Sequence, residues 1–234
     1  MKMIIGEFIG TYLMLALGLG ISLIINYLLY PRLQNRYITG LYWGISILIA
    51  SLISTGLWGT ANFNPVFSFT QAAGHQITWP VMIGETVTQI IGAWLASKTV
   101  EYIWSKYLYT LPINLNFFAT VPRDPNKNLE NFLWEFFGTL AIIVNAQIMN
   151  DISIAWWIKT IWSSVLMTIL ITVIAPITGA ALNPTRDLIP RTFFSHMFDK
   201  SVSEWSYAKI PLLAPISAGI VALIFKAIMK YLHL

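Results

Sequence analysis

The stretch Thr178-Gly179-Ala180-Ala181-Leu182-Asn183-Pro184-Thr185-Arg186-Asp187-Leu188-Ile189-Pro190-Arg191 follows an apolar run, yet it carries two arginines and an aspartate close together. At its centre is a helix start. Asn is a good N-cap, and Pro suits the first helical position, where its missing N–H would have no partner anyway. A short helix is therefore expected to begin at Pro184 and to end near the next turn signals. A second pair, Asn64-Pro65, lies in the other half of the chain in a similar setting, and Gly74-His75-Gln76 closes the helix it opens. The function is expected where the two pairs meet.

The setting of these pairs is a membrane. Of 234 residues, 56% are hydrophobic and only 10% charged, with mean hydropathy +0.67. A soluble domain carries about 25% charged residues, so the polar surface is too small for a soluble protein. Ten Trp and ten Tyr fit anchors at the two membrane interfaces. With no cysteine, disulfide and thiolate chemistry are excluded. The net charge of +4 is spread over loops without a basic cluster, so no nucleic-acid partner is expected. The start, Met1-Lys2-Met3-Ile4-Ile5, has something of a signal peptide. However, Glu7 would fall in its apolar region, the run continues to Leu29, and no small-residue cleavage site follows. A spanning helix is expected there.

Working outward, six apolar segments are long enough to span, at about 20 residues each: roughly 3–30, 38–57, 80–104, 129–149, 155–175 and 209–232. Pro31-Arg32-Leu33-Gln34-Asn35-Arg36 breaks the first two, 105–128 is the longest loop, and 195–208 reads as a polar loop. The expected fold is an all-α membrane protein of six transmembrane helices plus two re-entrant half-helices, in a single domain over 1–234. Its order (span, span, short helix, span) occurs twice, giving repeats over 1–105 and 129–234. A local echo supports this: Gly6-Glu7-Phe8-Ile9-Gly10-Thr11 against Trp134-Glu135-Phe136-Phe137-Gly138-Thr139. An odd number of spans per repeat gives the halves opposite orientation. Non-helical backbone at membrane depth is tolerated only where it is buried in protein or lines a watery cavity. Two such segments therefore imply a pore or site near the midplane.

Each short helix leaves unpaired N–H groups and a positive dipole end at its start. Two starts meeting at the midplane repel cations, hydronium included. The asparagines cap with their oxygens and hold N–H donors for a passing molecule, while residues 60–63 and 179–182 offer backbone carbonyls. Such a lumen suits small neutral hydroxylic solutes. Arg186 is expected at the pore wall, with fixed donors and a permanent charge. Adjacent helical residues do not face each other, so Arg186 is not expected to pair with Asp187. Glu7 and Glu135, inside spans, are expected to accept N–H groups of the re-entrant loops. Glu85 is expected near an end of the third span. His75, His196 and His233 read as solvated and show no metal-ligand spacing. No Ser/His/Asp order or phosphate-binding turn appears, so no enzyme, cofactor or metal is expected. Gly10, Gly92, Gly138 and Gly219 allow close helix crossing.

At these residues the chain resembles the major intrinsic protein family, the aquaporins and glycerol facilitators. The family's duplicated Asn-Pro-Ala reads Asn64-Pro65-Val66 and Asn183-Pro184-Thr185 here, and Asn62 stands where members usually have His. The resemblance favours the glycerol-facilitator subclass through Arg186-Asp187, Pro190-Arg191 and Pro211-Leu212. It implies a selectivity filter of Arg186, Ala180, Ile171 and either Trp43 or Gly44. Facilitators typically carry an aromatic at the Ala180 position, so the width of this ring stays open. It also implies cytoplasmic termini and a homotetramer in the cell membrane with a pore in each subunit. The charge count runs the other way. With cytoplasmic termini, Lys2, Lys159, Lys226 and Lys230 lie inside against Arg32, Arg36, Lys106, Arg123, Lys127, Lys200 and Lys209 outside, so the count alone favours the opposite orientation. The expected function is a passive channel for glycerol and similar small neutral solutes, with water. The alternatives are a water-selective aquaporin and, from another class, a secondary transporter.

Overall fold

The structure, a computed structural model, describes residues 1–28 and 35–232. The expected end of the first span at Tyr30, most of the break at 31–36, and His233 lie outside the described residues. Among the described residues, eight α-helices follow one another. They are α1 (Lys2–Leu23), running on into a π-helical turn (Ile24–Leu28), α2 (Arg36–Trp58), α3 (Pro65–Ala73) and α4 (Trp79–Leu108). Then come α5 (Asn128–Asp151), α6 (Trp156–Thr178), α7 (Pro184–Met197) and α8 (Trp205–Tyr231).

Local chemistry sets the ends. The Asn35 side chain accepts from the N–H of Tyr37 and Ile38 at the start of α2. Asn64 and Asn183 cap α3 and α7, each with Pro at the first helical position. Gly59 and Gly179 end α2 and α6 in the left-handed conformation, with φ of 77° and 86°. There a Cβ would be strained, and the chain is free to turn back into the bundle.

The bundle is apolar outside, and its interior mixes an apolar core with buried polar side chains. Tyr37, Leu41, Ile45, Ile49, Ile53 and Leu57 form an exposed stripe along α2 at helical spacing, while Ser46, Ser51 and Ser54 on the same helix are buried. Glu7, Glu85, Gln89 and Glu135 are fully buried. Water would not leave so many large apolar side chains exposed, and lipid explains them. Among the described residues, five helices are long and apolar enough to cross a membrane: α1 with its π turn, α2, α5, α6 and α8. The 30 residues of α4 would extend about 45 Å, and its Glu85 and Gln89 turn inward while Ile83, Val87 and Leu95 face out. It completes six long helices.

α1 packs between α2 and α4, α5 packs between α6 and α8, and α2 meets α6 across the centre. The α2–α6 seam is close because Gly40 and Gly44 leave room for Thr172 and Thr168. α3 and α7 lie inside this frame, α3 against α4 and α8, α7 against α4 and α8.

Two boundaries around the second half-helix differ from the sequence reading. α7 runs through Pro190 and Arg191 to Met197, and α8 begins at Trp205. The polar loop expected over 195–208 is thus only the connection between them, containing a 3₁₀ turn at Lys200–Val202. Burial of Arg191, Phe194, Tyr207 and Ala208 overrides the polar composition there. His196 accordingly stands on a helix, exposed, with Nδ1 2.7 Å from the Thr192 carbonyl and its ring edge-on to Trp94.

Candidate functional site: the re-entrant loops and the filter

The two loops that precede α3 and α7 are held from below by carboxylates. Glu7 Oε1 accepts from the Thr60 hydroxyl at 2.6 Å and the Asn62 N–H at 2.7 Å, and Oε2 accepts from the Phe63 N–H at 2.6 Å and Gln89 at 2.7 Å. Glu135 Oε1 accepts from the Thr178 hydroxyl at 2.6 Å and the Ala181 N–H at 2.9 Å, and Oε2 from the Leu182 N–H at 2.7 Å. Loops at membrane depth have no water to satisfy their N–H groups, and a carboxylate offers enough lone pairs for several at once. Phe63 and Leu182, the residues just before the asparagines, both take positive φ, 51° and 52°. This region disfavours a side chain by about 1–2 kcal/mol, and the carboxylate bonds and packing hold both there. Gly10 and Gly138 lie where any Cβ would run into the Phe63 ring and the Leu182 methyls.

The asparagines do two things. Each oxygen caps its own helix: Asn64 accepts from the Val66 N–H, and Asn183 from the N–H of Thr185 and Arg186. Each amide also reaches across. Asn64 donates to the Leu182 carbonyl at 3.0 Å, and Asn183 to the Phe63 carbonyl at 2.6 Å. This changes the expected donor count. One of the two N–H groups of each amide is spent on the opposite loop, leaving the other for the lumen. The carbonyls of Phe63 and Leu182 are likewise occupied.

Two cavities lie on either side of a constriction. The inner one, about 280 Å³, is lined by Asn64, Asn183, Ala61, Asn62, Phe67, Gln71 and the loop residues Ala180 to Leu182, and it extends to Asn145, Asn150 and Lys159. The outer one, about 290 Å³, is lined by Ser22, Asn26, Tyr42, Thr39 and Asn116 among others. Trp43, Gly179 and Arg186 border both. The Arg186 guanidinium lies 4.4 Å from the centroid of a Trp43 ring and donates from Nη1 to the Phe118 carbonyl at 3.2 Å. Ile171 and Ala180 line the inner cavity and not the outer one. Gly44 does not border either cavity. It faces Thr168 on α6, and a Cβ there would run into the Thr168 hydroxyl. Of the two alternatives for the second helix, the side chain at the constriction is Trp43, because successive positions on a helix point about 100° apart.

Arg186 does not pair with Asp187. The Asp187 carboxylate binds Arg191 one turn on, with Nε to Oδ2 at 2.9 Å, and both side chains are fully buried. Pro65 and Pro184 serve as first helical residues. Pro211 is buried inside α8 and Leu212 is partly buried beside it.

Several participants carry no sequence signal. Phe118 and Thr120 come from the long loop, which reads from sequence only as a Pro- and Asn-rich connection. What they contribute to the filter is mainly backbone, and a carbonyl leaves no mark on residue type. Gln89 completes the Glu7 set. Asn62 and Gln71 exchange amide bonds at 2.9 Å, and Asn62 also donates to Glu85 at 3.1 Å. Glu85 is thus a partner of the inner loop, near the start of α4.

Comparison with known proteins agrees with this geometry. The family described as Major intrinsic protein matches residues 1–225. A probable glycerol uptake facilitator protein of Mycoplasma genitalium is 29% identical over 236 residues, covering 93% of this chain and 90% of its own. The glycerol uptake facilitator protein of Streptococcus pneumoniae is 27% identical over 235 residues, covering 96% and 98%. The X-ray structure of the aquaglyceroporin from Plasmodium falciparum superposes with TM-score 0.85 at 22% identity, over 96% of this chain and 94% of that one. A bundle with an apolar outer surface, two capped half-helices held by buried carboxylates, and this match over nearly its whole length lead to one conclusion: the chain is a multi-pass membrane protein and belongs to the major intrinsic protein family.

Proposed function

We propose that the protein is a passive channel for glycerol and similar small neutral solutes, and for water. The observation that carries this is the meeting of two cavities at Trp43, Gly179 and Arg186, with the paired asparagines in the inner cavity. The uptake-facilitator names of the relatives support the choice of solute.

A solute entering from the outer cavity leaves part of its water behind at Trp43. Arg186 keeps donors beyond the one given to Phe118 and holds a hydroxyl oxygen. The carbon side of the solute slides past the Trp43 ring and Ile171. Beyond the constriction, the remaining N–H of Asn64 and of Asn183 take the next hydroxyls. A small cation finds Arg186 and the positive ends of α3 and α7, so it loses its hydration without compensation. No step needs a cofactor, a nucleotide or an ion gradient. The subunit carries two inverted repeats, 1–105 and 129–234, with both termini in the cytoplasm of a cell whose plasma membrane holds the homotetramer.

The test is stopped-flow light scattering on proteoliposomes across water, glycerol, urea and protonated small acids. The expected result is glycerol flux proportional to its gradient and indifferent to imposed proton or sodium gradients. Fast water flux without glycerol flux would instead identify a water-selective channel. Early saturation with dependence on an ion gradient would identify a secondary transporter.

A further inference from the structure

We propose that the buried Asp187–Arg191 pair is a positioning device. Acting through Thr120 and the segment that carries the Phe118 carbonyl, it sets where the Arg186 guanidinium stands and so fixes the size limit of the filter. This deepens the channel reading above and rests on it.

The argument starts from a cost. Asp187 and Arg191 are fully buried in a bundle with lipid around it. A buried pair is weak evidence of stability, because desolvation offsets most of the Coulombic gain. A buried charge pair whose bonds converge on one segment has a geometric consequence. Here every atom is committed. Asp187 Oδ1 accepts from the Thr120 N–H at 2.8 Å and from the Thr120 hydroxyl at 2.6 Å. Arg191 Nη2 donates to the Thr120 carbonyl at 2.7 Å and to Asp187 Oδ1 at 3.1 Å. Arg191 Nη1 donates to the carbonyls of Ser203 at 2.8 Å and Glu204 at 3.3 Å. One residue of the long loop is thus bound by its N–H, its carbonyl and its side chain. It is gripped from the other side as well, since Gly179 lies so near that a Cβ there would fall 2.6 Å from Thr120 Cβ.

Two residues before Thr120 is the carbonyl that receives Arg186. That bond is the hydrogen bond found for the Arg186 guanidinium among the described residues, and its other recorded contact is the Trp43 face. The filter cation is therefore located by a carbonyl whose own place depends on the Thr120 anchor. Arg186 and Asp187 are consecutive on α7, so one helical turn supplies both the filter group and the anchor for its partner. A loop carbonyl free to shift would let the guanidinium swing along the Trp43 ring and widen the constriction.

The experiment compares permeability ratios in proteoliposomes, with the amount of folded protein fixed by gel filtration and intrinsic fluorescence. The ratio is that of a four-carbon polyol to glycerol. Asp187→Asn keeps the size of the side chain and removes its charge. Thr120→Val keeps the shape and removes the hydroxyl donor. Thr120→Ser retains that donor. The ratio is expected to rise roughly fivefold in the first two, the scale of one lost hydrogen bond, and to stay at the parent value in Thr120→Ser. In an Arg186→Ala background, which has its own altered ratio, neither Asp187→Asn nor Thr120→Val is expected to change it further. An unchanged ratio in folded Thr120→Val, or an equal rise in the Arg186→Ala background, would overturn the proposal. Failure of the underlying channel reading looks different: no glycerol flux in the parent, or no effect of Arg186→Ala itself.

Discussion

At the scale of residues, function and stability separate onto different side chains. Arg186 is given to the lumen. Its removal is expected to cost little stability and to alter selection: Arg186→Ala should admit larger or charged solutes about tenfold faster, the scale of one charge-assisted bond. Liposome swelling with a series of solutes measures this, and unchanged selection would remove Arg186 from the filter. Glu7 and Glu135 are given to the fold. In Glu135→Gln one amide N–H must face a loop N–H, and destabilisation of about 2–3 kcal/mol is expected. Glu7→Gln should cost roughly 1 kcal/mol less, because Gln89 beside it can turn its own amide and accept the new donor, whereas among the described residues no side-chain amide bonds to Glu135. Thermal unfolding in detergent ranks the two. Two carboxylates with one task were legible in the sequence through the shared Glu-x-x-Gly-Thr spacing. The Gln89 asymmetry was not, since a lone Gln on α4 has no repeat to mark it.

At the scale of elements, the frame depends on where side chains are absent. Gly10 faces the aromatic ring of Phe63, while Gly138 faces the flexible methyl ends of Ile174 and Leu182. Overpacking costs about 1–3 kcal/mol, and most where the neighbour cannot turn away. Gly10→Ala should therefore lower the unfolding temperature more than Gly138→Ala. Gly44→Ala should likewise destabilise the α2–α6 seam at Thr168 without touching either cavity, so surviving protein keeps its permeability ratios. Parent-like stability in Gly44→Ala would contradict the seam geometry. Helices were readable from apolar length, and the half-helix starts from Asn-Pro. The end of α7 and the start of α8 were not, because buried Arg191, Phe194, Tyr207 and Ala208 are interspersed with exposed polar residues. The long loop stayed opaque for a related reason: what it gives the filter is a carbonyl and a clamped backbone.

At the scale of the whole molecule, the apolar outer surface fixes the solvent. Isoleucine and valine stripes turn out toward lipid, and serine, glutamate and glutamine turn in. Several helices are apolar on both faces, so composition was a better guide to the setting than periodicity. The crossed asparagine bonds have a consequence in time. Asn64 and its acceptor are 118 positions apart, and Asn183 and its acceptor 120. At a synthesis rate of about 5–20 residues per second, the first half must wait on the order of ten seconds before its partner exists. Until then the Asn64 amide and the Phe63 carbonyl have no mate. The chain has no cysteine, so a single Asn64→Cys substitution would be the only thiol present. It should react with large as well as small thiol reagents in chains halted before residue 182, and only with reagents small enough to enter the lumen in finished ones. The crossing that joins the two loops is thus the last part of the lumen to be made, and its accessibility to large reagents reports whether the ribosome has finished.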